Sequence, residues 1–387
     1  MSTPRFSLLI PTRNRLPTLR YALETALAQT HDDYEVVVMD NHCTDGTTEY
    51  VESIDNPRLR HMRSDSVLSM STNWELGLSH CRGQYVSIIG DDDGFMPEAV
   101  AYADVAIRNT GTDVLMWEPH NYWWPDTIVA HQRNMLYVNL NISNGASRVN
   151  SIKRLEAYYR YQVPYSALPQ IYSAFVSRKV IDRAIAKTGR YFDTASPDVY
   201  SGISNCWFTD TFVAIERPLS VRGISGRSQG TAYFMRSKGA AIREFCLSDA
   251  GLSLKAINHP HFGATPNLEF AIASINLLAK EILFPGDVRF PMDEELIARH
   301  ALANAGRDPD SYDEVVAEVR DFCVRRGLDP NKYTPPVKPP MPTNAPWGPL
   351  RDNNGNIVLL AVHGDVVGLA TIADAVRFCS AVTASPR

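Results

Sequence analysis

The feature that most constrains this chain is an alternation of short apolar runs with amphipathic segments over its first 117 residues. Phe6 to Ile10 is an apolar run that Pro11 ends, and Leu16 to Ala28 follows with leucine and alanine at helical spacing. Similar apolar runs recur at Tyr34 to Met39, Tyr85 to Ile89 and Val114 to Trp117. Strands that alternate with helices favour a parallel sheet covered by helices. The sequence therefore predicts an α/β fold with a Rossmann-like, mostly parallel sheet.

The rest of the chain divides by composition. Residues 118–235 are rich in Tyr and Trp, which is typical of a substrate-facing region with long loops. Residues 236–333 carry Ala and Leu at helical spacing and predict a C-terminal helical extension. Residues 334–350 hold seven prolines and predict an extended linker.

The last segment, residues 351–387, is predicted to form a small docking unit. Ile357 to Val362 and Val366 to Leu369 are apolar runs around turn residues, and together they predict a hairpin followed by a short helix. A unit of this size is not stable alone. We therefore expect it to dock on the main body or on another subunit, which would make the chain a homo-oligomer.

Composition disfavours several classes of protein. Hydrophobic residues make up 44% and charged residues 21% of the chain, and no segment reaches the roughly 20 apolar residues of a transmembrane segment. Phe6 to Ile10 is too short for the apolar part of a signal peptide, so a cytoplasmic location is expected. Six scattered cysteines without a CxxC pair predict reduced thiols. A net charge of -5 without a long basic run disfavours a nucleic-acid partner.

Polar residues follow three predicted strands at the points where those strands end. They are Pro11, Thr12 and Arg13 after the first strand, Asp40 and Asn41 after the second, and Asp91, Asp92 and Asp93 after Tyr85 to Ile89. Ligands bind beyond the carboxyl ends of parallel strands, because loops and helix N-termini converge there. These residues should therefore share one edge of the sheet and line one site.

The chain lacks the glycine-rich motifs with which many nucleotide-binding proteins hold phosphate. The segment PTRNR, from Pro11 to Arg15, contains no glycine, whereas a dinucleotide site needs G-x-G-x-x-G, and no P-loop motif occurs. Three adjacent carboxylates repel one another unless a cation compensates them. Mn²⁺ and Mg²⁺ prefer such oxygen ligands and also bind phosphates. We therefore expect a divalent cation here, the alternative being a solvated acidic loop before a helix.

Three motifs, in order, resemble glycosyltransferase family 2, whose members have the GT-A fold. They are FSLLIPTRNR, VVVMDNHCTDGT and NWELGLSHCRGQYVSIIGDDDGFMP, and the likeness covers about residues 5 to 115. The resemblance implies metal-dependent transfer of a sugar from a nucleoside-diphosphate sugar to a glycan or other hydroxyl acceptor. It further implies that residues 1–117 form the nucleotide-sugar-binding half of a GT-A domain and residues 118–235 its acceptor-binding half.

The same resemblance implies roles for the strand-end residues. Pro11, Thr12 and Arg13 would line the nucleotide, Asp40 and Asn41 would bind the base or ribose, and the acidic run would hold ribose and metal. Within that run we expect Asp91 and Asp93 to bind the metal, with Asp92 toward the ribose or as an alternative ligand. Asp40 has a second interpretation, as a turn residue that caps its own loop.

Two departures from the family pattern bear on these roles. Asn41, His42 and Cys43 stand where the family often has Asp, Gly and Ser, which affects the choice of base. Gly90 stands where the family has the first Asp of its D-x-D motif, so the roles within the acidic run can shift by one position.

Asp198 is the expected catalytic base, because RYFDTASPDVYSG resembles the place where inverting members of the family carry it. Displacement of a nucleoside diphosphate requires a base that takes the acceptor proton. The same residues also suit an ordinary helix start, with Ser196 as the N-cap and Pro197 in the first turn. Asp193 and Asp210 are the alternative bases.

Two further groups are candidate ligand contacts. The loop from Ser220 to Ala232 carries Arg222 and Arg227 and suits closure over a diphosphate, with Arg227 binding the nucleotide sugar, the alternative being a surface loop. The aromatic cluster between Trp117 and Trp124 suits either an acceptor site or the core, and core packing is favoured. His259 and His261 are interpreted as ordinary loop residues.

Two other functions stay open on the sequence alone. One is a sugar nucleotidyltransferase, although the Gly-rich N-terminal loop of that class is missing. The other is a non-catalytic module that binds a nucleotide sugar or a glycan, in which Asp198 only caps a helix. A processive synthase is disfavoured, because the chain has neither membrane helices nor a Q-x-x-R-W motif.

Overall fold

The computed structural model describes residues 3–140, 142–236, 238–243, 258–263, 265–340 and 342–384. Its strands are β1 (Phe6–Thr12), β2 (Tyr34–Asp40), β3 (Leu59–Arg63), β4 (Tyr85–Ile88), β5 (Gly94–Phe95), β6 (Val114–Trp117), β7 (His120–Trp123), β8 (Met135–Asn139), β9 (Ala146–Asn150), β10 (Ala174–Ser177), β11 (Thr211–Ile215), β12 (Ser220–Ile224), β13 (Gly348–Arg351) and β14 (Ile357–His363).

The helices alternate with the strands in the first half of the chain and dominate the second half. They are α1 (Leu16–Leu27), α2 (Thr47–Glu52), α3 (Met70–His80), α4 (Ala99–Thr110), α5 (Ser151–Tyr159), α6 (Arg178–Thr188), α7 (Pro197–Phe208), α8 (Gln229–Phe234), α9 (Leu268–Leu283), α10 (Glu294–Ala303), α11 (Tyr312–Arg325), α12 (Gly364–Val367) and α13 (Ile372–Thr383). None of the helices in the described ranges has the length and apolarity needed to cross a bilayer.

The main sheet has eight strands in the order β3-β2-β1-β4-β10-β6-β11-β9. β10 is antiparallel to both of its neighbours, β4 and β6, and β9 is antiparallel to β11. The other six strands therefore run in one direction, which confirms the predicted α/β fold with a mostly parallel sheet. Because those six strands share a direction, their carboxyl ends lie along the same edge.

The register of the first strands brings the predicted motifs side by side. β1 is buried along its whole length and pairs with β2 from Phe6 opposite Tyr34 to Thr12 opposite Asp40. β4 pairs with β1 on the other side. The residues that follow β1, β2 and β4 therefore meet at one edge, as the sequence predicts.

Helix α3 packs directly on this sheet because it has a glycine at the contact. A Cβ at Gly77 would lie only 2.9 Å from Leu9 Cδ1 and 3.0 Å from Met39 Cβ, so a larger residue would push the helix away. Ser69 caps the helix by accepting a hydrogen bond from the backbone N–H of Thr72. This close packing places the first turns of α3 beside the carboxyl ends of β1 and β2.

A second sheet was not predicted from the sequence. It has six strands in the order β13-β14-β8-β7-β12-β5, and β12 joins the short β5 on one side and β7 on the other. Since β5 directly follows the acidic run, this sheet fixes the position of the acids against the second half of the chain.

The helical extension is present from α9 onward. α9, α10 and α11 contribute to an apolar cluster in which Phe262, Phe270 and Phe322 stack against one another. The predicted helical stretch between residues 244 and 257, including Cys246, lies outside the described residues. The cysteines within the described ranges are free and buried, as predicted.

The C-terminal segment docks on the body of its own chain, but the predicted hairpin is wrong in detail. β14 pairs with β13 and with β8, whereas Val366 belongs to α12 rather than to a strand. Ile372 and Val376 of α13 are buried in the same core as the first strands and helices. The strand that pairs with β14 in the hairpin is therefore β13, which lies before β14 at the end of the proline-rich segment.

We expect Val376→Ala to lower the free energy of unfolding by about 2 kcal/mol, because two methyl groups leave a buried site and a cavity remains. Val382→Ala on the same helix is the matched control, since Val382 is 39% exposed and should change stability by less than about 0.5 kcal/mol. Urea unfolding checks both variants. Equal effects of the two would show that α13 is not packed as described.

Candidate active site

A cavity of about 420 Å³ opens at the carboxyl edge of the main sheet, within the size range of ligand pockets. Its lining comes from the ends of β1, β2 and β4, from α3, and from segments of the second half of the chain. The lining residues are Pro11, Thr12, Arg13, Arg15, Asn41, Leu68, Met70, Asn73, Trp74, Gly90, Asp91, Asp92, Tyr172, Arg227, Gln229, Ala241 and Ile242. Most of the predicted strand-end residues are among them, whereas Asp40, Asp93 and Asp198 are not.

Arg15 binds the two acids that face the cavity. Its Nε lies 3.0 Å from Asp91 Oδ1, and its Nη2 lies 2.7 Å from Asp92 Oδ2. Thr12 Oγ1 donates to the other oxygen of Asp91 at 2.7 Å. The sequence analysis missed Arg15, although one cation beside three acids could have indicated charge compensation.

Asp93 is turned away from the cavity. Its Oδ1 accepts a hydrogen bond of 2.6 Å from the backbone N–H of Gly223, and its Oδ2 accepts one of 2.8 Å from Gly90. Tyr172 donates to the same carboxylate. Of the two acids expected to bind the metal, Asp91 lines the cavity and Asp93 does not, whereas Asp92 does.

The acidic run carries more negative charge than Arg15 neutralises. Burial, only partly offset by Arg15, raises the pKa of Asp91 to about 6, and burial with the charge of Asp92 raises the pKa of Asp93 to about 7. No group of three His, Cys, Asp or Glu side chains that could hold a metal occurs in the parts of the chain that the structure describes. Asp91 and Asp92 nevertheless fit a Mn²⁺ or Mg²⁺ ion that takes its other ligands from phosphate oxygens, which is common for Mg²⁺.

Asp40 is held by hydrogen bonds within the protein. Its Oδ1 accepts from the backbone N–H of Cys43 at 2.7 Å, and its Oδ2 accepts from Thr48 at 2.6 Å and from Arg63 at 3.0 Å. Burial opposes ionisation of this carboxyl group, but hydrogen bonds from His61, Thr48 and Cys43 outweigh it and hold the pKa of Asp40 well below its usual value. Asp40 thus fixes the loop after β2, and Asn41 rather than Asp40 lines the cavity.

We expect Asp40→Asn to lower the free energy of unfolding at neutral pH by about 2 to 4 kcal/mol, because the amide cannot accept from all of these donors. Because the folded pKa is depressed, the contribution of Asp40 is present above its unfolded pKa and is lost as the pH falls through the folded value. Urea unfolding between pH 7 and pH 3 should therefore show the gap to wild type shrinking. Asp32→Asn, at an exposed ion pair with Arg58, should cost less than about 1 kcal/mol.

Asn41 and Asn73 shape the cavity on the side of α3. Asn41 exchanges hydrogen bonds with the backbone of Leu68, at 2.9 Å and 2.8 Å, and so fixes the segment before α3. Asn73 is 3% exposed, and its Oδ1 has no hydrogen-bond partner among the described residues. A buried acceptor without a partner on a cavity wall is suited to a ligand N–H or O–H group.

The model of the family described as "Glycosyl transferase family 2" matches residues 7–160, the part of the chain that carries the strand ends and the acidic run. Residues 7–160 therefore belong to glycosyl transferase family 2.

Curated relatives of this family 2 domain are similar over a limited length. A GalNAc(5)-diNAcBac-PP-undecaprenol beta-1,3-glucosyltransferase of Campylobacter jejuni is 27% identical over 25% of this chain and 33% of the relative. The succinoglycan biosynthesis protein ExoO of Rhizobium meliloti is 30% identical over 24% of this chain and 27% of the relative. The chain thus spans about a third or less of the length of these relatives.

Solved structures that align with most of the chain include two with bound nucleotide sugars. Residues 1–349 of S. aureus TarS in complex with UDP-GlcNAc align with a TM-score of 0.48 and 15% identity, over 84% of this chain and 92% of TarS 1–349. The mannosyltransferase PcManGT of Pyrobaculum calidifontis, in complex with GDP-Man and Mn²⁺, aligns with a TM-score of 0.46 and 15% identity. The alignment covers 86% of this chain and 78% of PcManGT.

The loop after β12 closes one side of the family 2 site. Ser225 donates through its Oγ to Asp92 Oδ2 at 2.6 Å, and Arg227 Nη1 donates to the backbone oxygen of Asn14 at 2.8 Å. Gly226 is held by Asp126 Oδ1 at 3.0 Å. Arg227 thereby lines the cavity, and the loop is joined to both the acidic run and the segment after β1.

Asp198 lies in the first turn of α7, outside the cavity lining. Burial raises its pKa, while the backbone N–H of Val199 and the charge of Arg222 partly offset that effect. Of the alternative bases, Asp193 lies 3.9 Å from Arg190 and Asp210 is exposed. Asp198 and Asp193 are both half-buried, and burial raises the pKa of each.

The aromatic cluster after β6 belongs mainly to the core, as favoured from the sequence. Trp117, Tyr122 and Trp124 are buried, and Trp124 Nε1 donates to the backbone oxygen of Asp92 at 2.9 Å. His259 and His261 lie near Glu281 and Glu294. The sequence analysis missed Asn73, Trp74 and Tyr172 as lining residues, because their spacing indicates ordinary core positions.

Proposed function

We propose that this chain is a glycosyltransferase that moves a sugar from a nucleoside-diphosphate sugar to the hydroxyl group of a glycan or other acceptor, one sugar at a time and with inversion. The observation that carries the proposal is the joint cavity of Arg13, Arg227, Asp91 and Asp92 at the strand ends of a family 2 domain. Cationic and acidic groups on one cavity suit a diphosphate and the cation that accompanies it.

The chain's own residues suggest how the donor is bound. Asn73 and Asn41 line the cavity on the side of α3. There the buried Oδ1 of Asn73 would accept a hydrogen bond from the base or ribose. Arg13, which directly follows β1, and Arg227, on the loop after β12, both line the cavity and would bind the diphosphate. Arg15 keeps Asp91 and Asp92 in place through two ion pairs.

Asp91 and Asp92 would hold Mn²⁺ or Mg²⁺. When bound, such a cation neutralises the negative charge that develops on the leaving diphosphate. Asp198 would accept the proton of the acceptor hydroxyl, since its raised pKa brings it closer to the range in which a general base works at neutral pH. A cytoplasmic setting is supported by the free, buried cysteines of the described ranges.

The test is to incubate the purified chain with a panel of UDP-, GDP- and dTDP-sugars, with Mn²⁺ or Mg²⁺, and to measure the free nucleoside diphosphate. Release that depends on the divalent cation and increases with added acceptor glycans supports the proposal. Pyrophosphate release from a nucleoside triphosphate and a sugar phosphate would replace it with a nucleotidyltransferase. Cation-dependent binding without any turnover would replace it with a binding module.

A further inference from the structure

The glycine that interrupts the family motif faces a tyrosine. A Cβ placed at Gly90 would collide with Tyr172 Oη and would lie 2.9 Å from Asp92 Oδ1 and 3.2 Å from Asp93 Oδ2. The position where the family pattern has an acidic side chain therefore has no room for one in this chain. The phenol of Tyr172 fills that space.

The fold places Tyr172 there through strand pairing. β10 pairs antiparallel with β4, with Val176 opposite Val86 and Ser177 opposite Tyr85. Tyr172 lies in the single 3₁₀ turn Ile171–Ser173 that directly precedes β10, and Gly90 lies two residues beyond the end of β4. Because the two strands are antiparallel, the start of β10 and the end of β4 lie at the same edge, where the tyrosine meets the glycine.

Two contacts hold the phenol in position. Its ring stacks on Trp74 of α3, with centroids 5.7 Å apart and planes 13° from parallel. Its hydroxyl donates to the carboxylate of Asp93. Burial, together with the nearby acids, raises the pKa of Tyr172 far above its usual value, so the phenol stays neutral and keeps an oxygen lone pair available.

We propose that Tyr172 is a donor-binding residue that replaces the acid missing at position 90: its oxygen accepts a hydrogen bond from a sugar hydroxyl of the nucleotide sugar, and its ring forms the adjoining cavity wall with Trp74. This inference rests on the proposed function, because it assumes a nucleotide-sugar ligand. It extends that function by assigning recognition of a hydroxyl group to a residue outside the family motif.

The direct test compares Tyr172→Phe with wild type in titration calorimetry, with Mn²⁺ present. The probes are UDP and GDP, and then UDP-GlcNAc and GDP-mannose. Loss of one hydrogen bond should weaken binding by about three- to tenfold. If Tyr172→Phe also weakens the binding of UDP or GDP, the hydroxyl group that Tyr172 recognises belongs to the ribose. If it weakens only the binding of the sugar nucleotides, that hydroxyl group belongs to the transferred sugar. Tyr137→Phe, at a half-buried tyrosine outside the cavity, should bind as wild type does.

A rescue experiment tests the replacement itself. Gly90→Asp alone should lower both the Tm and the affinity, because its side chain meets the phenol oxygen. In the Tyr172→Phe background the same change should be tolerated better and should restore affinity toward the wild-type value. Such recovery is not expected if Tyr172 only packs against its neighbours.

The failures of the two proposals are distinguishable. If wild type binds none of the probes, the proposed function is overturned, and this inference falls with it. If wild type binds them and Tyr172→Phe binds equally well, the proposed function stands and this inference alone is overturned. A Gly90→Ala variant whose Tm equals that of wild type would also overturn the inference, since the space would then be free.

Discussion

Replacing Asp92 with Asn is expected to reduce nucleoside-diphosphate release by about 10³-fold or more. The carboxylate faces the cavity, accepts from Arg15 at 2.7 Å and from Ser225 at 2.6 Å, and is one of two acids that can hold a cation against the donor. An amide keeps the shape but removes the charge, and several kcal/mol of charge stabilisation correspond to such a factor in rate.

The measurement is kcat/KM for donor turnover together with the affinity for Mn²⁺ in the presence of UDP or GDP. Asp126→Asn is the matched control, because Asp126 also anchors the loop after β12, through Gly226, but does not line the cavity. That control should lose less than about tenfold, the cost of one hydrogen bond. An Asp92→Asn variant within tenfold of wild type would rule out this role for Asp92.

Replacing Asp198 with Asn is expected to lower kcat by about 10²- to 10⁴-fold, the usual contribution of a general base, while the Kd for UDP or GDP stays unchanged. Asp198 lies outside the cavity that would hold the nucleotide, so binding and turnover should separate. Asp193→Asn is the matched control, because Asp193 is the other candidate base whose pKa is raised by burial. Loss of turnover in Asp193→Asn with retention in Asp198→Asn would reassign the base.

The pH dependence of kcat/KM is an independent test of Asp198 as the catalytic base. A base must be ionised to accept a proton, and burial raises the pKa of Asp198, with Arg222 opposing that effect and Tyr165 beside it. kcat/KM should therefore fall as the pH decreases through this raised pKa, at a higher pH than an exposed aspartate would give. The residual activity of Asp198→Asn should lack that acid limb.

Much of the N-terminal half was predictable because its signals are local. Apolar runs such as Phe6 to Ile10 and the helical spacing after Leu16 depend on neighbouring residues only, and their parallel pairing brings Thr12, Asn41 and Asp91 to one edge. Family motifs added the interpretation of that edge. The second sheet was not predictable in this way, since β14 pairs with β8 across more than two hundred residues of chain.

Within the site, the acidic residues could be identified from the sequence, but which of them faces the cavity could not. Asp92 and Asp93 are adjacent, and local pattern gives no reason for one to face the cavity and the other to face the backbone. That choice depends on Ser225 and Gly223, more than a hundred residues away, which bind one carboxylate each. Tyr172 meets Gly90 for the same kind of reason, because β10 is inserted beside β4 from more than eighty residues further along the chain.

The sequence by itself thus determined most strands and helices of the first 117 residues, the edge along which the polar residues gather and the family to which residues 7–160 are related, because each of these follows from local periodicity and residue identity. Only the tertiary structure decided that Arg15 compensates Asp91 and Asp92, that Asp40 and Asp93 are bound within the protein, and that a phenol occupies the place of a missing acid. Side-chain direction in a buried site is set by partners distant in the chain, and those partners meet only when the sheets have formed.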